Sequence, residues 1–331
     1  MVMTAVTASA ISTAKAFCPG HITGFLAKVS DLAGHEKVKK NLGNCSCLHK
    51  GSLGAGLAID MGITTTARVF DKGNSSSGTS YDVIVNGMNK NSKIDVTVSV
   101  VEKYIEFLHG SYHIKIEHET SIPIGYGLSS SGAAALSLSY ALNRALKVGF
   151  NMEEAAQIAH CSEIECKTGL GNVLAQYVGG FELRSKIGGP GVGVVSKLPC
   201  HSDTLDLRVI ILCLSPLSTK KFLTERIGLL NGSGEQMLER LSVSRNLNDF
   251  LEISYDFATR LGLIRGKSGS LVNELRSQGF GSSVALFGDT VFSIVESKDV
   301  DNVINCLKGN GGTLLTCGLD HHGARIIERQ W

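Results

Sequence analysis

The stretch SIPIGYGLSSSGAAALSLSYALNRAL, Ser121 to Leu146, sets Ser129, Ser130 and Ser131 in a row among Gly125, Gly127 and Gly132, directly ahead of an alanine-rich run. A helix start needs one capping Ser, Thr, Asp or Asn. The surplus points to anion binding: at a helix N-terminus the unbonded N–H groups face outward, the dipole favours negative charge, and glycine lets a phosphate reach the backbone. Here the N–H groups from Gly127 through Gly132 are the candidates. An overcapped helix packed by its alanine face is the plain alternative. No Lys follows Gly132 and the glycines do not follow the G-x-G-x-x-G spacing, so the P-loop and the dinucleotide fingerprint are both set aside.

Other residues could do chemistry with a bound phosphate. Glu163 and Glu165, late in a helical segment, offer carboxylates to a metal, whereas Glu153 and Glu154 read as a solvated face. His21 follows a strand and a Pro-Gly turn, where a side chain can be held toward a cleft, and Thr23 lies on the same side of an extended segment.

The elements that must position these groups follow from the pattern of the chain. Strands are expected at STAKAFCPGHITGF, SLGAGLAIDMGITTTARVF and SYDVIVNGMNK, with DKGNSSSGTS between the last two as a hairpin tip. DVTVSVVEKYIEFLH has helical spacing and YHIKIEHE alternates as a half-buried strand feeding the Ser/Gly stretch. NMEEAAQIAHCSEIECKTG is a second helix, with Asn151 and Glu154 as a capping box and Gly169 near its end. The second half alternates strands and helices, which predicts an α+β sandwich without internal repeats. A length of 331 residues suggests two domains, 1–190 and 191–331.

Composition narrows the function. The 32 basic and 30 acidic side chains leave a net charge of +2, with no global pull toward nucleic acid or anionic membrane, so a small-molecule ligand is expected. Nine scattered cysteines without a C-x-x-C pair read as reduced core residues. The N-terminus lacks a basic region and a leucine-rich core, and no apolar run approaches a membrane span, so a cytoplasmic location is expected.

PIGYGLSSSGAA, Pro123 to Ala134, resembles the second signature of the GHMP kinases, in which P-x-x-x-G-L-x-S-S precedes small residues; the match includes Pro123, Gly127, Leu128, Ser130 and Ser131. CPGHITGF and GLGNVLAQYVGG stand where that superfamily has its first signature and its substrate-side loop. PGHITGF, KGSLGAGLAID, KTGLGNVLAQYVGG and DHHGARII are similar to the archaeal pantoate kinases of coenzyme A biosynthesis. The resemblance implies the two-domain GHMP fold, with an N-terminal domain like the second domain of ribosomal protein S5 and a ferredoxin-like C-terminal domain. It also implies ATP and Mg²⁺, and phosphorylation of the primary hydroxyl of (R)-pantoate to 4-phosphopantoate. A homoserine- or mevalonate-type kinase and a retired metabolite sensor are the alternatives, and a homodimer is left open.

On that resemblance Pro123, Gly125, Gly127, Leu128, Ser129, Ser130, Ser131 and Gly132 hold the nucleotide phosphates, and Ser131 with Glu163 holds the metal. His21 stands where mevalonate kinases carry a Lys that polarises the accepting hydroxyl; nearby phosphates would favour its charged form. Asn172 stands where mevalonate kinases have a catalytic Asp. An amide takes no proton, so Asn172 would orient the substrate, with Asp60 as an alternative base; the loose transition state of phosphoryl transfer tolerates a missing base. Thr23 is a candidate for holding pantoate, and Arg68, Lys50 and the backbone of Ser52 to Gly56 are candidates for its carboxylate. GFGSSVALFG, with Ser282 and Ser283, lies where the third signature is expected but lacks its long glycine run.

Overall fold

The computed structural model describes residues 9–30, 45–73, 78–89, 94–200, 206–217 and 234–327. Two long strands, β1 (Ser12–Val29) and β2 (Ser52–Asp71), pair antiparallel nearly end to end and form the spine of the first sheet. β1 does not turn at Pro19-Gly20 as the sequence suggests. It runs straight through with a register shift there, because a bulge accommodates a proline that has no N–H to give the ladder.

The first half of β2 pairs with β6 (Phe181–Lys186), which in turn pairs with β7 (Val194–Lys197). Its second half pairs with β5 (Tyr112–Thr120), beside which β3 (Ser80–Val85) lies parallel. β5 therefore inserts between β2 and β3, and the expected hairpin across Asp71–Ser80 does not form; residues 74–77 of that stretch lie outside the described residues. A two-residue β4 (Met88–Asn89) completes that edge, and β12 (Arg325–Ile326) returns from near the C-terminus to pair with β1. The first sheet thus keeps β7, beyond the expected break at 190/191, and takes back β12; strand pairing breaks between Lys197 and Leu207.

Four helices accompany this sheet: α1 (Asp95–Ile105), α2 (Ser130–Leu146), α3 (Met152–Cys166) and α4 (Asn172–Val178). In α2 the buried residues include Ala133, Ala134, Leu136, Leu138 and Leu142, so the small side chains let it lie close to the strands and to α3. The capping box of Asn151 and Glu154 starts α3, and Lys167 in the left-handed conformation ends it, two residues before Gly169.

The second sheet, in the order β11 (Thr313–Cys317), β8 (Leu207–Ser215), β10 (Asp289–Glu296), β9 (Ser282–Val284), is antiparallel. It is accompanied by α5 (Glu235–Ser244), α6 (Leu247–Arg260), α7 (Gly266–Ser277) and α8 (Val300–Leu307). α6 lies against β1, where Phe25 meets Phe257 edge-on at 6.4 Å and Phe181 meets Phe250 at 5.1 Å. Each such pair adds about 0.5–1.5 kcal/mol beyond the area it buries. Gly24 is required there, since a Cβ would stand 2.2 Å from Ser254 Oγ. Among the described residues no helix is long and apolar enough to cross a membrane.

Candidate active site

Two contacts, one from β1 and one from α4, fix the Ser/Gly loop at the start of α2. The His21 N–H donates to Leu128 O at 3.1 Å, and the Gln176 side chain bridges Pro19 O (2.8 Å) and Ser129 O (3.1 Å). Ser129 precedes the helix with φ 55° and makes no side-chain cap, so the three serines are not spent on capping. A non-glycine residue in that conformation costs about 1–2 kcal/mol, the kind of strain that clusters at ligand sites.

The second half of the chain closes over the loop. A Cβ on Gly127 would stand 3.0 Å from Gly288 N, and one on Gly288 would stand 2.2 Å from Tyr126 O. Thr290 Oγ1 donates to Tyr126 O at 2.8 Å. The segment expected as the third signature therefore reaches the loop through Ala285 and Gly288. Ser282 and Ser283 are buried away from this contact, the former donating to Val272 O.

A cavity of about 30 Å³ lies between Gly127, Ser129, Ser130, Ser131, Asn172 and Phe287. Beside it a cavity of about 260 Å³, walled by Ile63, Val85, Ile94, Val96 and Ile124, opens onto Ser130 and Ser131. The two share Ser130, Ser131 and Thr168 in their walls. No local pattern in the sequence signals the apolar cavity, whose named walls come from four separate places in the chain.

Ser131 and Glu163 meet as the sequence suggests. Ser131 Oγ lies 3.2 Å from both Glu163 Oε1 and Thr168 O, so its one hydrogen serves either in turn. Glu163 is fully buried and its Oε2 has no partner. Burial pushes its carboxyl up to about 7, against the opposing pull of the Ser131 hydroxyl, the Val173 N–H and the Arg184 charge. Gly169 makes room, since a Cβ there would stand 2.1 Å from Glu163 Oε1. An unpaired carboxylate oxygen beside a hydroxyl, with the unpartnered Gln176 Oε1 near Gly132, is a donor set that fits a hard cation such as Mg²⁺.

Behind the loop runs a chain of buried polar groups. Thr23 Oγ1 lies 3.4 Å from both Asn172 Oδ1 and His21 Nδ1, and His21 Nε2 lies 3.0 Å from Glu182 Oε1. Glu182 Oε2 faces Arg184 Nε at 3.4 Å, too poorly aligned for a hydrogen bond, and Arg184 Nη1 donates to Ser52 Oγ at 3.4 Å. Ser52 Oγ in turn donates to Leu170 O at 2.9 Å. All six side chains are less than a tenth exposed. Burial lowers the pKa of His21 more than Glu182 raises it, which favours the neutral ring. Arg184 Nη2 is buried without a hydrogen-bond partner. Glu182 and Arg184 escaped the sequence reading, although their alternation with apolar Phe181 and Leu183 in β6 marks two charges on one strand face.

His160 was also missed. It is fully buried, its Nε2 lies 3.1 Å from Cys47 O and Lys50 O, and its Nδ1 has no partner. Burial lowers its pKa to about 4, so the ring is neutral and Nδ1 is an acceptor. Its ring edge would face a Cβ on Gly171, the residue ahead of Asn172, at 3.7 Å.

Other candidates lie elsewhere. Arg68 pairs with Glu117 at 2.9 Å, twelve residues along β2 from the Gly56 that faces Thr23. Asp60 is exposed and accepts the Gly318 N–H at 3.0 Å, which leaves it a structural role. Lys50 approaches the site through its carbonyl, bonded to His160. Glu165 turns away from Ser131 and pairs with Lys103 at 2.5 Å.

A Ser/Gly loop, a buried carboxylate beside it and a buried polar cluster thus gather around the start of α2. In agreement, residues 95–180 match the family described as GHMP kinases N terminal domain. A pantoate kinase of Methanocaldococcus jannaschii is 33% identical over 88% of this chain and 96% of its own length. One of Thermococcus kodakarensis is 30% identical over 87% and 89%. Among solved structures, one titled a phosphotransferase related to the CoA biosynthesis pathway superposes with a TM-score of 0.81 at 26% identity, covering 95% of this chain and 98% of that one. The chain is a GHMP kinase with the two-domain α+β fold of that superfamily. Within it, the chain belongs to the pantoate kinase family.

Proposed function

We propose that the protein transfers the γ-phosphoryl group of ATP to the primary hydroxyl of (R)-pantoate, giving 4-phosphopantoate for coenzyme A biosynthesis in the cytoplasm, with Mg²⁺ as cofactor. The observation that carries this reading is the contact of Ser131 with a buried Glu163 whose Oε2 lacks a partner, together with a buried cation, Arg184, whose charge acts on Glu163 and whose Nη2 lacks a hydrogen-bond partner. A buried unpaired guanidinium edge is costly. A substrate carboxylate relieves that cost, and the M. jannaschii and T. kodakarensis relatives are named for a substrate that has one. The site then lies between two domains, one built on each sheet.

In this reading the adenine ring enters the apolar cavity, and the N–H groups at the start of α2 receive the phosphates. Ser131 and Glu163 would hold Mg²⁺, which when bound neutralises phosphate charge. Arg184, kept in place by Glu182 and Ser52, binds the pantoate carboxylate, and His160 Nδ1 accepts from a pantoate hydroxyl.

Asn172 orients the attacking hydroxyl, and the polar chain sets its carboxamide. His21 gives its Nε2 hydrogen to Glu182, which leaves Nδ1 to accept from Thr23. The one hydrogen of the Thr23 hydroxyl serves His21 Nδ1 or Asn172 Oδ1, and so holds the carboxamide by its oxygen. The Asn172 amino group is then directed away from Thr23 and donates to the oxygen of the pantoate alcohol. No step requires a strong base, because the alcohol keeps most of its proton until late in a loose transition state.

A screen of ADP release over pantoate, pantothenate, homoserine, mevalonate and shikimate tests the assignment. Pantoate is expected to give the highest kcat/KM. Preference for homoserine or mevalonate would replace the substrate while keeping the kinase, and no turnover with any of them would overturn the reading.

A further inference from the structure

Three cysteines converge away from the kinase site. Cys45 precedes the short 3-10 turn Ser46–His49, Cys47 lies within it, and Cys161 lies in α3. They are 7%, 2% and 0% exposed, and their sulfurs all lie within 4.8 Å of one another. Cys45 Sγ and Cys161 Sγ are 3.7 Å apart. A metal–sulfur bond of about 2.3 Å gives a tetrahedral S···S edge of roughly 3.8 Å, so this spacing suits a shared metal. A disulfide would need about 2.05 Å and would leave the third thiol over. Cys47 Sγ also lies 3.7 Å from Glu165 Oε1, as thiol donor to carboxylate. Lys103 holds the other Glu165 oxygen, and Leu48 and Ile164 pack around the thiols as an apolar shell.

We propose that Cys45, Cys47 and Cys161 bind a zinc-class divalent cation. Cysteines serving only as small core residues have no reason to turn three sulfurs toward one point from segments 116 positions apart. Three thiolates select a borderline-soft metal over Mg²⁺, so this site and the Glu163 site take different ions. Binding releases the thiol protons to solvent. Its consequence is mechanical: the metal ties the turn that leads into Gly51 and Ser52 to the helix that carries His160 and Glu163. The proposal stands independently of the identity of the phosphoryl acceptor.

The full-length protein, purified under reducing, oxygen-free conditions from zinc-supplemented culture, is expected to contain about one zinc per chain by elemental analysis. Cobalt exchanged into it should give thiolate-to-cobalt charge-transfer absorption. Glu163→Gln should retain the zinc, and Cys47→Ala should lose most of it. Cys161→Ala should likewise lose most of it, and a Cys47→Ala protein that keeps a full zinc complement would overturn the proposal. Wild-type protein without zinc or cobalt charge transfer, or a native Cys45–Cys161 disulfide by mass, would overturn the proposal.

Discussion

In the proposed reaction the loop ahead of α2 and the polar chain behind it serve one transfer, but they are built in opposite ways. The loop uses backbone N–H groups from one short run of sequence, held by glycines and a left-handed Ser129. The chain Thr23–His21–Glu182–Arg184–Ser52 uses side chains from three strands and buries them almost completely. Backbone donors offer their hydrogens to any phosphate, whereas buried side chains leave one donor edge and so select the shape and charge of the acceptor. The loop should therefore govern turnover and the buried chain should govern which substrate is bound.

The largest effect expected is on the loop side. Glu163→Gln should lower kcat by roughly 10²–10³-fold, the loss typical of one preorganised charge-stabilising group. It should leave the melting temperature unchanged or higher, since a buried carboxyl raised to about 7 is costly to ionise. Turnover at the parent level in low Mg²⁺ would remove Glu163 from the site. Thr23→Val, which keeps the shape and deletes the hydroxyl, should raise the pantoate KM by roughly tenfold and leave the ATP KM unchanged, as for one neutral hydrogen bond. A change confined to the ATP KM would assign Thr23 to the wrong region.

The pH dependence separates the regions more finely. With the Glu163 carboxyl near 7, Mg²⁺ affinity should be flat at higher pH and fall by up to about tenfold per unit below it, as protons compete for the oxygen. For the metal-free protein the sign is opposite. The raised carboxyl contributes stability at low pH that is lost as pH rises from the unfolded value of 4.5 through about 7, which chemical denaturation at several pH values would detect. The smallest effect is at Asn172. Asn172→Asp should give none of the roughly 10²–10⁴-fold gain of an added general base, and a large gain with a new acidic limb would show that proton removal limits the reaction.

The same contrast explains what the sequence disclosed. The loop, Glu163, His21, Thr23 and Asn172 lie in contiguous motifs whose spacing survives as text. Glu182 and Arg184 sit in a strand that pairs with β2 only after some 120 residues of intervening chain, so no local pattern links them to Ser52 or His21. Arg68 was a reasonable cation for a carboxylate by type, but register carries it to the far part of β2 and to Glu117. The β2–β3 hairpin failed for a similar reason: local turn chemistry cannot reveal that β5, distant in sequence, takes the place between them.

The central claim is that a buried guanidinium selects the acceptor. Its most direct test compares pantoate with its carboxamide analogue as substrates for the parent and for Arg184→Met. The parent should prefer pantoate by roughly 30-fold or more in kcat/KM, as expected for a charge-assisted contact in a buried site. In the variant that preference should collapse toward parity while the ATP KM stays as it was. A variant that still discriminates as the parent does would show that the carboxylate is read elsewhere, and would contradict the account.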